Sequence, residues 1–422
     1  MKLRLITPAV PGSSQKRKRV LTPPLGLAML AALTPADIEV SLTDENVAAI
    51  DFQEKTDLVG ITTLTITAQR AYEIADIFRA RGITVVLGGI YASFLPDEAG
   101  QHADAVVIGE AEETWPKLIA DFKANRLQKV YRQGERGTLV NLPVPRRDLF
   151  TKGAYLIKNT LAATRGCPYS CSFCSVSSFF GRTYRCRPVD DVIKELDTLE
   201  GAKYVFFVDD NIIGNPKFAK ELFRAMVPYK IKWFGQASVT IARDDELLEL
   251  AAASGCIGLM IGFESIEPAN LATVAKRINV VDEYEGVISK IHSKGIGIHG
   301  FFITGLDEDR KDVFERTVRF AQEMKLESAG FAYPMPLPGT EFFNSLDKEG
   351  RVITREWARY ANEIVFEPKL MSREELQEGH AWASQEFFRL SSIWKRVGLT
   401  RRNLALLWAL NLGWRAHYSK VR

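Results

Sequence analysis

Three cysteines stand close together in CPYSCSFC, at Cys167, Cys171 and Cys174, in a chain of 422 residues that holds only five. Thiols gathered this closely point to a metal, and the ligand count narrows which one. Structural zinc takes four N or S ligands, typically as two CxxC-type pairs far apart in sequence. Here the fourth is lacking: Cys186 and Cys256 stand singly, with no histidine near. A [4Fe–4S] cluster is also usually held by four thiolates. With three, one iron keeps an open coordination position that a substrate or cofactor can fill. CxxxCxxC therefore argues for a cluster that binds something. Cys186 and Cys256 read as small buried hydrophobes rather than ligands of a second cluster.

The elements around this loop alternate. LRLIT (3–7), VSL (40–42), LVGITTL (58–64), TVVLGG (84–89) and AVVIG (105–109) are apolar on both faces, as strands of a parallel sheet are. Between two of them, Ala71, Ile74, Ala75 and Phe78 make the apolar stripe of a helix that Gly82 stops. Residues 1–130 therefore read as a doubly wound, Rossmann-like domain, whose ligands sit beyond the carboxyl ends of the strands. Those ends carry Thr62, Thr63, Gly88, Gly89, Gly109 and Glu110, small or polar residues that let backbone approach a large ligand. Residues 131–160 read as a linker. Six βα units then follow over 161–345, with strands at LAATRG, KYVFFVDD, KWFGQASV, GLMIGFES, GIHGFFITGL and SAGFAYPMP. They look like a barrel or most of one, which keeps its chemistry on the loops after the strands. The cysteine cluster follows the first strand. Residues 346–422 read as helical.

Bulk properties exclude several classes. The net charge of +3, from 55 basic and 52 acidic residues, makes no demand for nucleic acid. No run reaches the ~20 apolar residues that span a bilayer, and MKLRLITPAVPG is too short in its apolar part for a secretory signal. Five cysteines are no disulfide framework, so a cytoplasmic, reducing compartment is expected. The tail RRNLALLWALNLGWRAHYSKVR, apolar between basic ends, has two readings: a helix docked on the body, or a surface helix touching membrane or a lipid-like substrate.

CPYSCSFC resembles the signature of the radical S-adenosylmethionine (SAM) enzymes, including the aromatic residue before the last cysteine, Phe173. The resemblance implies that Cys167, Cys171 and Cys174 hold three irons while the fourth chelates SAM. It implies reductive cleavage of SAM to a 5′-deoxyadenosyl radical, with a donor such as flavodoxin or ferredoxin. The family fold is a partial six-unit barrel. VFFVDDNIIGN resembles the second-strand segment, which would put Asp209, Asp210 and Asn211 near SAM. FGQASV places Gln236 at the same mouth, GLMIGFES resembles the fourth-strand motif with Glu264, GFFITGL the fifth with Gly305, and PLPGT (336–340) the closing loop. The acidic residues also read as strand-end carboxylates that cap helices.

PPLGLAMLAAL, LVGITTLTITAQRAYEIAD, VVLGGIYASFLPDEA and ADAVVIGEAEETWPKL resemble the cobalamin-binding domain that precedes the barrel in one large radical SAM subgroup. The resemblance implies cobalamin at the strand ends named above. The loop TPAVPGSSQKRKRV departs from the DxHxxG pattern of many cobalamin proteins: it has no histidine, and the domain's only one is His102. Cobalamin would thus lack that lower ligand, or the domain keeps its shape without the cofactor. QKRKR (15–19) reads as a solvated loop or a contact for an anionic substrate. Most members of the subgroup transfer methyl to an unactivated carbon, and others carry out cyclisation or further radical chemistry on pigments and lipids. WARYANEIVFEPKLMSREEL resembles the tail of lipid- and pigment-linked members. Methyl transfer to a lipid- or pigment-like or natural-product small molecule is therefore expected, with a non-methylating radical reaction as the alternative. A tRNA methylthiotransferase would bring further cysteines in the N-terminal domain, which has none.

Overall fold

A computed structural model describes residues 1–12, 22–199, 201–398 and 403–419; the run QKRKR lies outside the described residues. The chain divides into two compact units. The first comprises residues 1–160 with 337–339 and 354–363, and the second 161–336, 340–353 and 364–422.

In the first unit, β1 (Lys2–Thr7), β2 (Glu39–Asp44), β3 (Leu58–Thr62), β4 (Thr84–Gly88), β5 (Ala105–Ile108) and β6 (Val130–Arg132) form one sheet in the order β2-β1-β3-β4-β5-β6. Every pair in it is parallel. Leu3, Leu5, Leu58, Val59, Val86 and Val107 are buried, as the two-sided apolar runs require. At Gly60 a Cβ would stand 3.0 Å from Leu5 and 3.3 Å from Trp115, so glycine leaves room for that indole against the strand. The helix Ala68–Ala80 buries Ala71, Ile74, Ala75 and Phe78, the stripe expected from the sequence. β6 escaped that reading because only Tyr131 of its three residues is buried, too little to make a pattern. The strand order reverses between β1 and β3, which opens a crevice past their carboxyl ends.

The chain passes into the second unit within β7 (Thr160–Leu161), and β8 (Thr164–Gly166), β9 (Tyr184–Cys186), β10 (Tyr204–Phe207), β11 (Lys232–Ala237), β12 (Cys256–Glu264), β13 (Gly297–Ile303) and β14 (Ser328–Ala332) follow. Six of them form an open sheet in the order β14-β13-β12-β11-β10-β7, the partial barrel. LAATRG is not one strand. Its first residue lies in β7, and the chain then turns into β8, which pairs antiparallel with β9. The cause is Asp209, whose buried carboxylate accepts from Ala163 N, Thr164 N and Thr164 Oγ1 and takes the place of ladder partners at the turn.

Alternate residues of the sheet face opposite ways. Leu259, Ile261, Phe263, Ile298 and Phe302 belong to the packed core with the helices. Phe234, Gln236, Met260, His299 and Phe301 face away from it and are half-buried. The barrel's inner face is therefore apolar and open.

The C-terminal residues form the helices Arg373–Phe387, Leu390–Val397 and Leu404–Tyr418. Arg396 ties them together: its buried guanidinium donates to the carbonyls of Leu326 and Phe387 and stacks on the Phe387 ring at 3.6 Å. Leu406, Leu410, Leu412 and Trp414 of the last helix stay exposed. Among the described residues no helix is long and apolar enough to cross a membrane.

Candidate active site

The cysteine loop hangs between two fixed points. β8 delivers it through Gly166, whose φ of +83° and close approach to the Thr183 carbonyl leave no room for a side chain. The helix Ser175–Phe180 leaves it with Cys174 as N-cap. Between these, Ser172 N donates to the Val274 carbonyl at 3.0 Å, Phe342 N to the Ser172 carbonyl at 2.9 Å, and Ser177 Oγ to the Tyr169 carbonyl at 3.0 Å. The loop backbone is pinned from three sides.

All three thiols are free of disulfides. Burial pushes Cys171 up to about 11, with Lys276 pulling it down and Cys174, Glu264 and Cys167 adding to the rise. Burial also raises Cys167, which feels Cys174 and Lys276. The three sulfurs thus lie in one another's field. Among the described residues no three His, Cys, Asp or Glu side chains converge on one metal position. By chemistry the donors fit an iron–sulfur cluster: three soft sulfurs on one pinned loop, beside a cation that favours the ionised form of Cys167 and Cys171.

That cation is Lys276. Its ammonium lies 2.9 Å from Glu264 Oε1, with both side chains nearly buried. Burial alone would lower it, yet Glu264 and the thiols of Cys171 and Cys167 hold it well above its ordinary range. Glu264 ends β12 at an irregularity in the ladder, with φ +64°, a conformation rarely adopted by a residue with a side chain. Asn279 Nδ2 donates to the carbonyls of Gly262 and Phe263, and Tyr284 Oη to those of Phe263 and Ser265, which holds the strained segment in place. Sequence reading missed Lys276 because KRIN looks like a surface run.

The other residues expected near SAM divide. Asp210 is half-buried, raised by burial and opposed by the Gly166 N–H. Asn211 is 3% exposed, and among the described residues its amide meets only the Cys167 thiol, whose ionised form it favours. A buried amide left short of partners costs about 1–3 kcal/mol, so Asn211 has capacity for a further polar contact. Gln236 donates to the Asp209 carbonyl at 3.3 Å, which puts it beside this pair. Phe173 is half-buried on the loop itself. Asp209 and Gly305 are otherwise engaged. The Asp209 carboxylate is spent on the β7–β8 turn. Gly305 packs against Leu376 and donates to Asp309 Oδ2 at 2.8 Å. Asp309, a buried carboxylate that also takes Leu306 N and Asn270 Nδ2, went unread in the sequence.

In the first unit the strand ends brace one another. Thr63 Oγ1 donates to the Gly88 carbonyl at 2.8 Å and accepts from Ala92 N at 3.0 Å. Gly89 has φ +98°, and a Cβ there would stand 2.8 Å from the Thr63 carbonyl and 3.0 Å from Thr62 Oγ1. Gly109, at φ +89°, donates to Ser93 Oγ, and Glu110 is clasped by Gln133 through its N–H and its carboxylate. The result is a side-chain-poor edge at which Leu64 is 49% exposed, a surface that fits a large flat cofactor. His102 is engaged elsewhere, stacked on Tyr72 at 4.2 Å and 2.9 Å from Asp76. Cys256 is buried and Cys186 half-buried against the core.

Comparison with known proteins agrees with this layout. Residues 161–321 match the model of the radical SAM superfamily, and residues 19–119 that of the B12 binding domain. The bacteriochlorophyllide d C-12(1)-methyltransferase of Chlorobaculum tepidum is 32% identical over 93% of this chain and 88% of its own. The anaerobic magnesium-protoporphyrin IX monomethyl ester cyclase of Cereibacter sphaeroides is 27% identical over 82% of this chain and 63% of its own. In fold, the radical S-adenosylmethionine methyltransferase TsrM of Kitasatospora setae, solved with cobalamin and a [4Fe–4S] cluster, superposes with a TM-score of 0.73 over 100% of this chain and 99% of that one, at 17% identity. A [4Fe–4S] cluster, SAM and cobalamin are the cofactors that the two matched domains bring. The chain belongs to the radical SAM enzymes that carry an N-terminal cobalamin-binding domain.

Proposed function

We propose that this enzyme transfers a methyl group from cobalamin to an unactivated carbon of a hydrophobic, pigment-like substrate. The observation that carries the reading is the nearly end-to-end similarity to a bacteriochlorophyllide methyltransferase, at 32% identity. The open apolar inner face, with Phe206, Phe234, Met260 and Phe301, supports a hydrophobic substrate.

When bound, the cluster and SAM supply a hydrogen-abstracting radical and cobalamin supplies the methyl group. The chain's own part is holding and shielding. Cys167, Cys171 and Cys174 would hold the cluster on the pinned loop. The Lys276–Glu264 pair sets the charge beside it, and the Asn211 amide offers both a donor and an acceptor to a polar ligand. The strand ends at Thr62, Gly89 and Gly109 would cradle the corrin ring.

The test is anaerobic turnover of the reconstituted chain with cobalamin, a reductant, a bacteriochlorophyllide and SAM labelled in its methyl group. Label in the pigment, with S-adenosylhomocysteine and 5′-deoxyadenosine formed in equal amounts, supports methyl transfer. 5′-Deoxyadenosine alone, with an altered but unlabelled pigment, supports the second reading, cyclisation or another radical reaction. The cyclase relative favours that reading.

We also read the C-terminal helix as a dock on an anionic bilayer. From Phe387 to Arg422 the sequence has eight Lys and Arg and no Asp or Glu, and the helix Leu404–Tyr418 shows an apolar exposed side. At 15 residues it extends only about 22 Å, so it would lie along a membrane rather than cross it.

A further inference from the structure

The inner face of the barrel holds one imidazole that nothing above uses. His299 sits in the middle of β13, and the ladder sets it in a cross-strand row with Met260 and Gln236. Gln236 is also the residue that meets the Asp209 carbonyl, so one end of this row lies beside the segment that continues into Asp210 and Asn211.

Among the described residues neither nitrogen of His299 has a hydrogen-bond partner. Its contact is with the Phe301 ring, 4.6 Å away and edge-on at 71°. Across the same face Phe206 and Phe234 stack at 4.8 Å. Glycine lets the imidazole lie close against the neighbouring strand. A Cβ on Gly330 would stand 3.4 Å from His299 Nε2 and 3.1 Å from Phe301. Gly258, which follows Phe234 in the next row, likewise leaves the surface flat. Burial keeps the imidazole uncharged at neutral pH, pushing it down to about 4. A neutral imidazole has a lone pair free for a metal, and it is the commonest protein ligand for one. An unpaired lone pair on an aromatic face where Gly258 and Gly330 carry no side chain suits a planar ring with a metal at its centre.

We propose that His299 is an axial ligand to the central metal of a metallated tetrapyrrole substrate lying on the inner face of β10–β14. The proposal rests on the pigment reading above and adds to it a preference for the metallated form over the metal-free one. His299 donates an electron pair to the metal, and no covalent bond of the substrate is broken in this contact.

The test uses the reconstituted holoenzyme, without turnover, titrated with zinc chlorin e6 and with metal-free chlorin e6. Absorption and fluorescence report both binding and axial ligation. The wild type should bind the zinc form at least about tenfold tighter, with the band shift of a five-coordinate metal. His299→Leu, with unchanged iron content, should lose the shift and bind both forms alike. In His299→Ala, added imidazole should restore the shift. Equal wild-type binding of both forms without a shift overturns the role of His299 and leaves the pigment reading standing. So does a shift that persists in His299→Leu. Failure of the wild type to bind either chlorin overturns both.

Discussion

Asp209 should prove a structural residue rather than a SAM ligand. Its carboxylate is 1% exposed and accepts from Ala163 N, Thr164 N and Thr164 Oγ1 at 2.5–3.2 Å. Asp209→Ala leaves three buried donors without an acceptor. At about 1–3 kcal/mol for each orphaned donor, and with a water entering the gap, the loss should be about 3–5 kcal/mol. That is a large part of a typical stability of about 5–15 kcal/mol. Asp209→Asn keeps one carbonyl oxygen but turns an amide toward the donors, and should cost about 1–3 kcal/mol. Guanidinium denaturation followed by tryptophan fluorescence reads the loss. Iron content after reconstitution should fall with it, because the turn leads directly into the cysteine loop. SAM affinity per folded, cluster-loaded chain should stay near the wild-type value in Asp209→Asn. If Asp209→Ala unfolds at the wild-type denaturant concentration but no longer binds SAM, the reasoning is refuted.

Lys276→Met leaves the nearly buried Glu264 carboxylate without its partner and should cost about 3–5 kcal/mol; denaturation of the Lys276→Met/Glu264→Gln double variant should show most of that recovered, and no recovery would mean that the pair does not act as a unit. His299 should make stability pH-dependent. Its folded pKa, about 4, lies below the unfolded value near 6.5, so the unfolded chain binds more protons between them and stability falls as pH drops through that window. For a half-buried ring the loss from pH 7 to pH 5 should be on the order of 1–2 kcal/mol. His299→Leu should show a flatter acid limb, whereas equal slopes for the two proteins contradict the assignment. Vesicles of phosphatidylglycerol and phosphatidylcholine should sediment the wild type at low salt, while pure phosphatidylcholine should not. Leu410→Glu/Leu412→Glu should abolish that binding with iron content unchanged, and a shift from dimer to monomer in that variant would instead mark the face as a contact between copies.

The parallel sheets were open to sequence reading because their strands are apolar on both faces, as LVGIT and AVVI are. The cysteine trio stands out in the sequence by ligand count, since three thiols with no fourth ligand nearby argue against a structural zinc site. Other features depend on contacts across many residues. The split of LAATRG rests on Asp209, over forty positions downstream, and from sequence that carboxylate looks like any polar residue at a strand end. Lys276 matters because Glu264, at a positive φ on the end of its strand, accepts from the ammonium at 2.9 Å, a pairing twelve residues apart that no local pattern announces. The inner face was hidden by the feature that exposed the strands: in GIHGFFI both faces are apolar, so periodicity does not tell Phe301, which lines the open side, from Phe302 in the core. β6 and β9, three residues each, were too short to show a pattern.

Electron paramagnetic resonance of the anaerobically reconstituted, reduced chain, recorded with and without SAM, tests the central claim most directly. The account predicts a cluster of about four irons whose spectrum shifts when SAM is added, and no such shift in Cys174→Ala. Zinc in the loop, or a reduced cluster whose spectrum ignores SAM, would contradict it.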